Sequence, residues 1–286
     1  MPKPVHAVLH ALRVYPVKSM AGSAPDSAAV EPWGLKGDRR WTLIDETGKA
    51  VTQRQQPRLA LARAEPLPDG GIRLSAPGTE PLTVSVPGSG GVPGTGGTVV
   101  ADIFGTKIES VLAGHGTRDV HDWISGYLGV EVRLAHLDDP AIRRPIDPFY
   151  ARPGETVSFA DGFPLLVTTL ASLDALNSLI AQGDHPDEGP LPMDRFRPNL
   201  VVAGAAPWEE DDWRRVAVGE VTFRVAKACG RCVITTTDQR TGERGKEPLR
   251  TLGRYRRFGG QLIFGQNLVP EGTGTVRVGD PVTVLE

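Results

Sequence analysis

Turn residues interrupt this chain so often that long helices have little room to form. Thirty-four glycines and 25 prolines are spread over 286 residues. Glycine and proline punctuate helices and strands alike. Between them lie short runs of Val, Ile, Leu and Thr, side chains that suit a pleated, half-buried surface. The pattern predicts an α+β protein that is predominantly β, with many short strands joined by tight turns and a few helices.

Strands are expected at 7–17, 38–45, 50–53, 59–67, 72–74, 82–86, 98–103, 130–134, 200–202, 264–268 and 274–285, with two more inside 213–225. The Gly-rich tract 87–97 reads as a hairpin tip; no Lys-Ser/Thr and no helix follow it, so it is not a phosphate loop. Helical spacing marks 119–128, through Val120, Trp123, Ile124 and Leu128, and 168–180, through Leu173, Leu176, Leu179 and Ile180. Thr168 or Thr169 is the expected N-cap of the second helix. Gly129 stops the first, and a boundary between an N-terminal β-domain, 1–128, and a C-terminal domain, 129–286, is drawn there.

Thirty-two Lys and Arg against 34 Asp and Glu leave a net charge of -2. Without a basic excess, nucleic acid is not an expected partner. No apolar run is long enough to span or anchor in a membrane. Two cysteines are too few for a disulfide scaffold, so a reducing, cytoplasmic setting is expected.

Those two cysteines stand together in Cys229-Gly230-Arg231-Cys232. Half of a zinc site, a redox pair and a single working thiolate all fit this spacing. No second pair or spaced histidines complete a zinc shell. The β-branched run Val233-Ile234-Thr235-Thr236-Thr237 predicts a strand rather than the helix of a thioredoxin-like site. Arg231, beside Cys232, favours the thiolate. One thiolate holds a soft metal only if a cofactor brings the remaining ligands.

Several residues suit an anionic cofactor. Lys18 and Ser19 leave a strand together, Arg39 enters another, and the start of the second helix offers hydroxyls and free N–H groups. Pro198 is expected to hold Arg197 extended, which sets Arg197 and Asn199 on one face.

The chain resembles MOSC proteins that carry an N-terminal MOSC β-barrel domain. The resemblance rests on Tyr15-Pro16-Val17-Lys18-Ser19, Gly37-Asp38-Arg39 with Trp41, and the segment from Thr52 to Leu59. It continues through Phe196-Arg197-Pro198-Asn199, Ala228 to Cys232 with the Thr-Thr-Thr-Asp run, and Lys246-Glu247-Pro248-Leu249. Phe264-Gly265-Gln266-Asn267 and Val278-Gly279-Asp280-Pro281-Val282 complete it. Residues 1–128 become the N-terminal barrel domain, 129–286 the MOSC domain, and the cofactor cleft lies between them. The resemblance implies a molybdenum–molybdopterin cofactor ligated by Cys232. Lys18, Ser19, Arg39, Arg197, Asn199, Gly230, Arg231 and Asn267 are expected to grip it, with Thr169 and Ser172 in reach. It further implies reduction of N-hydroxylated small molecules, with electrons from a separate protein of ferredoxin or flavin-reductase type. A cofactor-handling role with a Cys232 persulfide is the rival. A pyridoxal phosphate-binding-like label attaches to the same grouping. One departure stands out: Gly230 occupies a position where the family commonly has Ser, and offers only its backbone N–H.

Overall fold

The computed structural model describes residues 7–88, 97–113 and 119–286; most of the Gly-rich tract expected as a hairpin tip lies outside them. The largest sheet has eight strands. Seven follow one another in space as Val8–Leu12, Leu200–Ala203, Leu165–Thr169, Gln261–Pro270, Val221–Gly230, Arg215–Val218 and Val282–Val284, and Arg257–Phe258 pairs onto Gln261–Pro270. Leu165–Thr169 and Leu200–Ala203 run parallel, which demands a crossover; the helix Leu170–Ala181 lies in it. The ends of the sheet meet where Val8 bridges Pro281, Leu9 N donates to Asp280 O at 2.8 Å and Gly279 N to Leu9 O at 2.8 Å. Closure into a near-barrel removes two open strand edges. Leu9, Leu12, Val167, Leu200, Val202, Phe223 and Leu268 fill it.

A second sheet of five strands runs Ala50–Val51, Trp41–Ile44, Arg133–His136, Thr106–Leu112 and Thr98–Ile103. It curves into a half-barrel, Lys49 bridging Asp102. The helix Val120–Leu128 and a small sheet of Arg63–Pro66, Ile72–Ser75 and Leu82–Val84 belong to the same core, around Met20, Trp41, Leu43, Leu74, Ile124 and Leu134.

Among the described residues, strand pairing runs across a line drawn between residues 128 and 129 in four places. Val8–Leu12 pairs with Leu200–Ala203, Ser27–Glu31 with Gly274–Arg277, and both Trp41–Ile44 and Thr106–Leu112 with Arg133–His136. Segments distant in sequence are therefore fixed beside one another by backbone hydrogen bonds, which is how one cleft draws residues from both halves.

Both expected helices are present. Asp119 caps Val120–Leu128, which Gly129 ends at φ 73°; Thr169 caps Leu170–Ala181 through the N–H of Ser172. The expected strand at 59–67 is a 3₁₀ turn, Pro57–Leu61, followed by Arg63–Pro66. A helix at Leu249–Tyr255 was not anticipated. The run after Cys232 is also not a strand: Val233–Thr236 is a 3₁₀ turn. Thr235 and Thr236 donate their hydroxyls back to Cys232 O and Val233 O, both at 2.9 Å. This local bonding competes with sheet pairing and overrides β-branched propensity. Among the described residues no helix is long and apolar enough to cross a membrane.

Candidate active-site cleft

Cys232 sits where the ten-residue strand Val221–Gly230 gives way to the 3₁₀ turn. Alternation along extended backbone puts Cys229 and Arg231 on one side and Cys232 on the other. Arg231 accordingly donates to Cys229 Sγ at 2.9 Å and to Phe196 O at 2.6 Å. The cation on Cys232 is a different one: Arg54 Nη2 lies 3.2 Å from its Sγ and 3.3 Å from Asp161 Oδ2. The expectation that Arg231 polarises the neighbouring sulfur is thus corrected. Both cysteines are free thiols.

Asp161 also pairs with Lys18, whose Nζ donates to Phe159 O at 2.8 Å. Burial lowers the Lys18 pKa to about 8, against the opposing pull of Asp161. Desolvation by the cleft walls pushes Asp161 up, but Lys18 and Arg54 outweigh it and hold the carboxyl well below the usual carboxylate range. Arg144 braces the loop beneath, donating to the carbonyls of Ser158, Ala160 and Asp161.

A second group of cations gathers around Tyr15. The Arg39 and Arg197 guanidinium carbons lie 4.6 and 4.2 Å from its ring centroid. Asp38 accepts from Tyr15 N at 2.8 Å and from Arg39 Nη1 at 2.6 Å. Arg39 also donates to Asn199 Oδ1 at 3.1 Å and Arg197 O at 3.2 Å. Arg197 is only 9% exposed, and its Nη2 has no hydrogen-bond partner. Burial, with Arg39 close by, brings its pKa down to about 10.

Arg197 is not extended as expected; its φ of 54° and ψ of 47° are left-handed. The following proline disfavours the right-handed region but leaves this one open. The 3₁₀ turn Met193–Phe196 ends on Arg197, whose N–H reaches Asp194 O at 3.1 Å. Ser19 at φ 69° and Arg39 at φ 47° are left-handed too. Each such non-glycine residue costs about 1 kcal/mol, and strain of this kind concentrates at functional sites.

Lys18, Ser19, Arg39, Arg197, Asn199, Gly230, Arg231, Cys232 and Asn267 all line one cleft of about 270 Å³. Thr169 and Ser172 do not. Their hydroxyls donate to Glu210 Oε2 at 3.1 and 2.7 Å, and both residues are fully buried. Thr169 caps a helix and both hydroxyls are engaged by a buried carboxyl, so the expectation that they reach a cofactor is withdrawn. Sequence reasoning missed Arg54, Asp161 and the platform role of Tyr15. Arg54 lay inside the motif from Thr52 to Leu59, which was its one signal; Asp161 had only the turn dipeptide Asp161-Gly162.

The cleft fits an anionic ligand that carries a soft metal. Cys232 offers one thiolate, and among the described residues no cluster of three His, Cys, Asp or Glu can hold a metal alone. A metal at Cys232 must bring most of its own ligands. The unpartnered Arg197 Nη2 and Arg231 Nε are buried donors awaiting acceptors. In a chain of net charge -2, so many cations in one place point to an anion.

Residues 6–131 match the MOSC N-terminal beta barrel domain and residues 154–283 the MOSC domain. Mitochondrial amidoxime-reducing component 1 is 34% identical in Mus musculus and 35% in Homo sapiens; each alignment covers 96% of this chain, with 81% and 82% of the relative. The molybdenum cofactor sulfurase of Anopheles gambiae is 34% identical over 89% of this chain, which spans 33% of that longer protein. Nothing in these matches supports the pyridoxal phosphate label. With both domains matched in order and about a third of its residues shared over nearly its whole length, the chain belongs to the family of MOSC proteins with an N-terminal MOSC β-barrel domain, alongside the mitochondrial amidoxime-reducing components.

Proposed function

We propose that this protein reduces N-hydroxylated small molecules with a molybdenum–molybdopterin cofactor held in the cleft. The carrying observation is a cysteine sulfur contacted by a guanidinium in a cleft where Arg197 and Arg231 keep unpartnered, buried N–H groups. The relatives named as amidoxime-reducing components support the reaction class.

Arg39, Arg197, Asn199 and Ser19 would hold the phosphate and pterin, with Lys18, Arg231, Asn267 and the Gly230 N–H. Charge-assisted bonds of this kind are about twice as strong as neutral ones. Cys232 would hold the metal as its thiolate. When bound, the cofactor supplies a centre that exchanges two electrons and takes up an oxygen atom. The balanced change is R–NHOH + 2 e⁻ + 2 H⁺ → R–NH₂ + H₂O, the N–O bond breaking and a separate electron-donor protein, of ferredoxin or flavin-reductase type, providing the electrons. Arg54, 3.2 Å from the Cys232 sulfur, holds it in place in the cleft. Asp161 stays ionised and orients both Arg54 and Lys18. Lys18, at about 8, holds a proton at Nζ that it can release near neutral pH, as a general acid requires.

Similarity to a cofactor sulfurase favours one rival, in which Cys232 carries a persulfide. Protein made in a molybdenum-replete host is expected to hold about one molybdenum per chain and to reduce an amidoxime, and Cys232→Ala to lose both. Full reduction by metal-free protein sinks the proposal. Cyanolysable sulfur on Cys232 without reductase activity establishes the rival.

A further inference from the structure

Residues 239–258 carry seven Lys and Arg against two Glu, a surplus of five positive charges in a chain of net charge -2, which leaves -7 on the remainder. The stretch is tied to the cleft at both ends. Near its start, Arg244 donates to the backbone oxygens of Gln53 and Arg54, and Arg54 touches the Cys232 sulfur. At its end, the strand Arg257–Phe258 pairs with Gln261–Pro270, Arg257 opposite Leu262 and Phe258 opposite Gln261. Gln261 lines the cleft, and Leu262 O accepts the Arg231 N–H at 2.7 Å. Backbone hydrogen bonds therefore fix this hairpin as a rim of the opening.

Arg256 alone turns inward. It is 8% exposed, pairs with Asp211, and lies 4.2 Å from the Trp208 ring and 5.1 Å from the Phe258 ring. Its neighbours stay in solvent: Tyr255 is 49% exposed and Phe258 55%. Arg257 is exposed and makes no ion pair among the described residues. Arg250 and Arg254 share the single carboxylate of Asp184, so one of their charges is uncompensated. Folding gains little from such an arrangement, whereas arginine and aromatic side chains are the ones enriched where proteins meet.

We infer that this rim is the docking surface for the electron donor, a small carrier protein whose redox centre is ringed by carboxylates. Resting on the reductase reading, the inference adds where the partner lands and what charge its face carries. Two reduced one-electron carriers land in turn and each gives up one electron, matching the two consumed for each N–O bond broken. An acidic face is drawn to the rim and repelled by the acidic remainder, which sets orientation as well as rate. Tyr255 and Phe258 supply the apolar contact that a small, short-lived electron-transfer interface needs.

The test uses a plant-type ferredoxin, an acidic one-electron carrier, with the full chain as wild type, Arg257→Glu and Arg73→Glu. Arg73, exposed on the small sheet, receives the same charge change away from the rim. Calorimetric titration at low salt is expected to show binding that Arg257→Glu weakens about tenfold and Arg73→Glu leaves unchanged. Added salt is expected to weaken binding more in wild type than in Arg257→Glu. Reduced ferredoxin is expected to reduce cofactor-loaded Arg257→Glu about tenfold more slowly than wild type, while reduced methyl viologen, too small to need a docking face, serves both equally. No ferredoxin binding by wild type, or equal binding by wild type and Arg257→Glu, overturns the surface. Equal losses in Arg257→Glu and Arg73→Glu also overturn it, as does a slower reaction of Arg257→Glu with methyl viologen. Anionic phosphatidylglycerol vesicles that bind wild type but not Arg257→Glu, with ferredoxin binding unaffected, assign the rim to a membrane instead. Should loaded wild type fail to reduce an amidoxime even with methyl viologen, the reductase reading fails, and the ferredoxin titration still decides whether an acidic protein docks here.

Discussion

Two groups of cations face the same cleft and are treated in opposite ways. Around Cys232 each cation has a carboxylate partner: Asp161 pairs with both Lys18 and Arg54, and Arg54 Nη2 also meets the sulfur, although its Nη1 has no partner. Around Tyr15, charge is in surplus: Asp38 pairs with Arg39, but Arg197 has no carboxylate partner and one buried nitrogen with no acceptor at all. The two groups differ in exposure as well as in partners: Asp161 is 58% exposed, whereas Arg39 and Asp38 are 12% and 1% exposed. A protein does not bury an unpaired guanidinium for stability. Under the proposed function, the surplus would receive a ligand's negative charge, and the paired group would hold the Cys232 sulfur and the Lys18 ammonium in place.

Arg197→Met is the largest blow to this contrast. Cofactor retention is expected to fall about 10- to 100-fold, the loss of a charged hydrogen-bond donor. The unfolding free energy of cofactor-free protein is expected to rise by about 1 kcal/mol, because an uncompensated buried charge is gone. Denaturation and cofactor binding measured on the same preparation check both signs; a variant that loses stability would falsify the surplus.

Lys18 sharpens the comparison by pH. Its folded pKa of about 8 lies below the ordinary lysine value of 10.5, so the unfolded chain binds more protons between the two. The protonated lysine destabilises the fold below pH 8, and stability is regained as pH rises from 8 toward 10.5. Activity should move the other way, declining above about pH 8 as the cleft loses a cation and a proton donor. Lys18→Arg is expected to abolish that alkaline decline; pH–rate profiles of wild type and variant decide it. Decline at the same pH in both would assign it to another group.

The smallest effect is expected outside the cleft. Thr169→Ala removes a helix cap and one donor to Glu210, costing about 1–2 kcal/mol in chemical denaturation. Molybdenum content should not change; a loss of metal would return Thr169 to the site.

The sequence was most legible where a residue's role follows from its neighbours. Thr169 as a cap, Gly129 as a stop and the strands on either side of Gly219 depend on local bonding and spacing. Cys232 was singled out only by the family resemblance, and the structure places it in the cleft. The sequence misled where a local rule had two solutions. Arg197 before Pro198 took the left-handed region rather than the extended one, and the β-branched run after Cys232 turned back on its own hydroxyls. It gave no role to Arg54 or Asp161, which reach Cys232 and Lys18 across separations of 178 and 143 residues.

Glycine and proline spacing, with short β-branched runs between, was enough to determine a mostly β chain, and local spacing two of its capped helices, because propensity and capping act within a few residues. Which guanidinium meets which sulfur, which arginine stays unpaired and which hydroxyls turn inward to Glu210 were settled only when the N-terminal strand closed the barrel against the C-terminal half. Ion pairs and burial depend on distances in space, and no short stretch of this chain carries those distances.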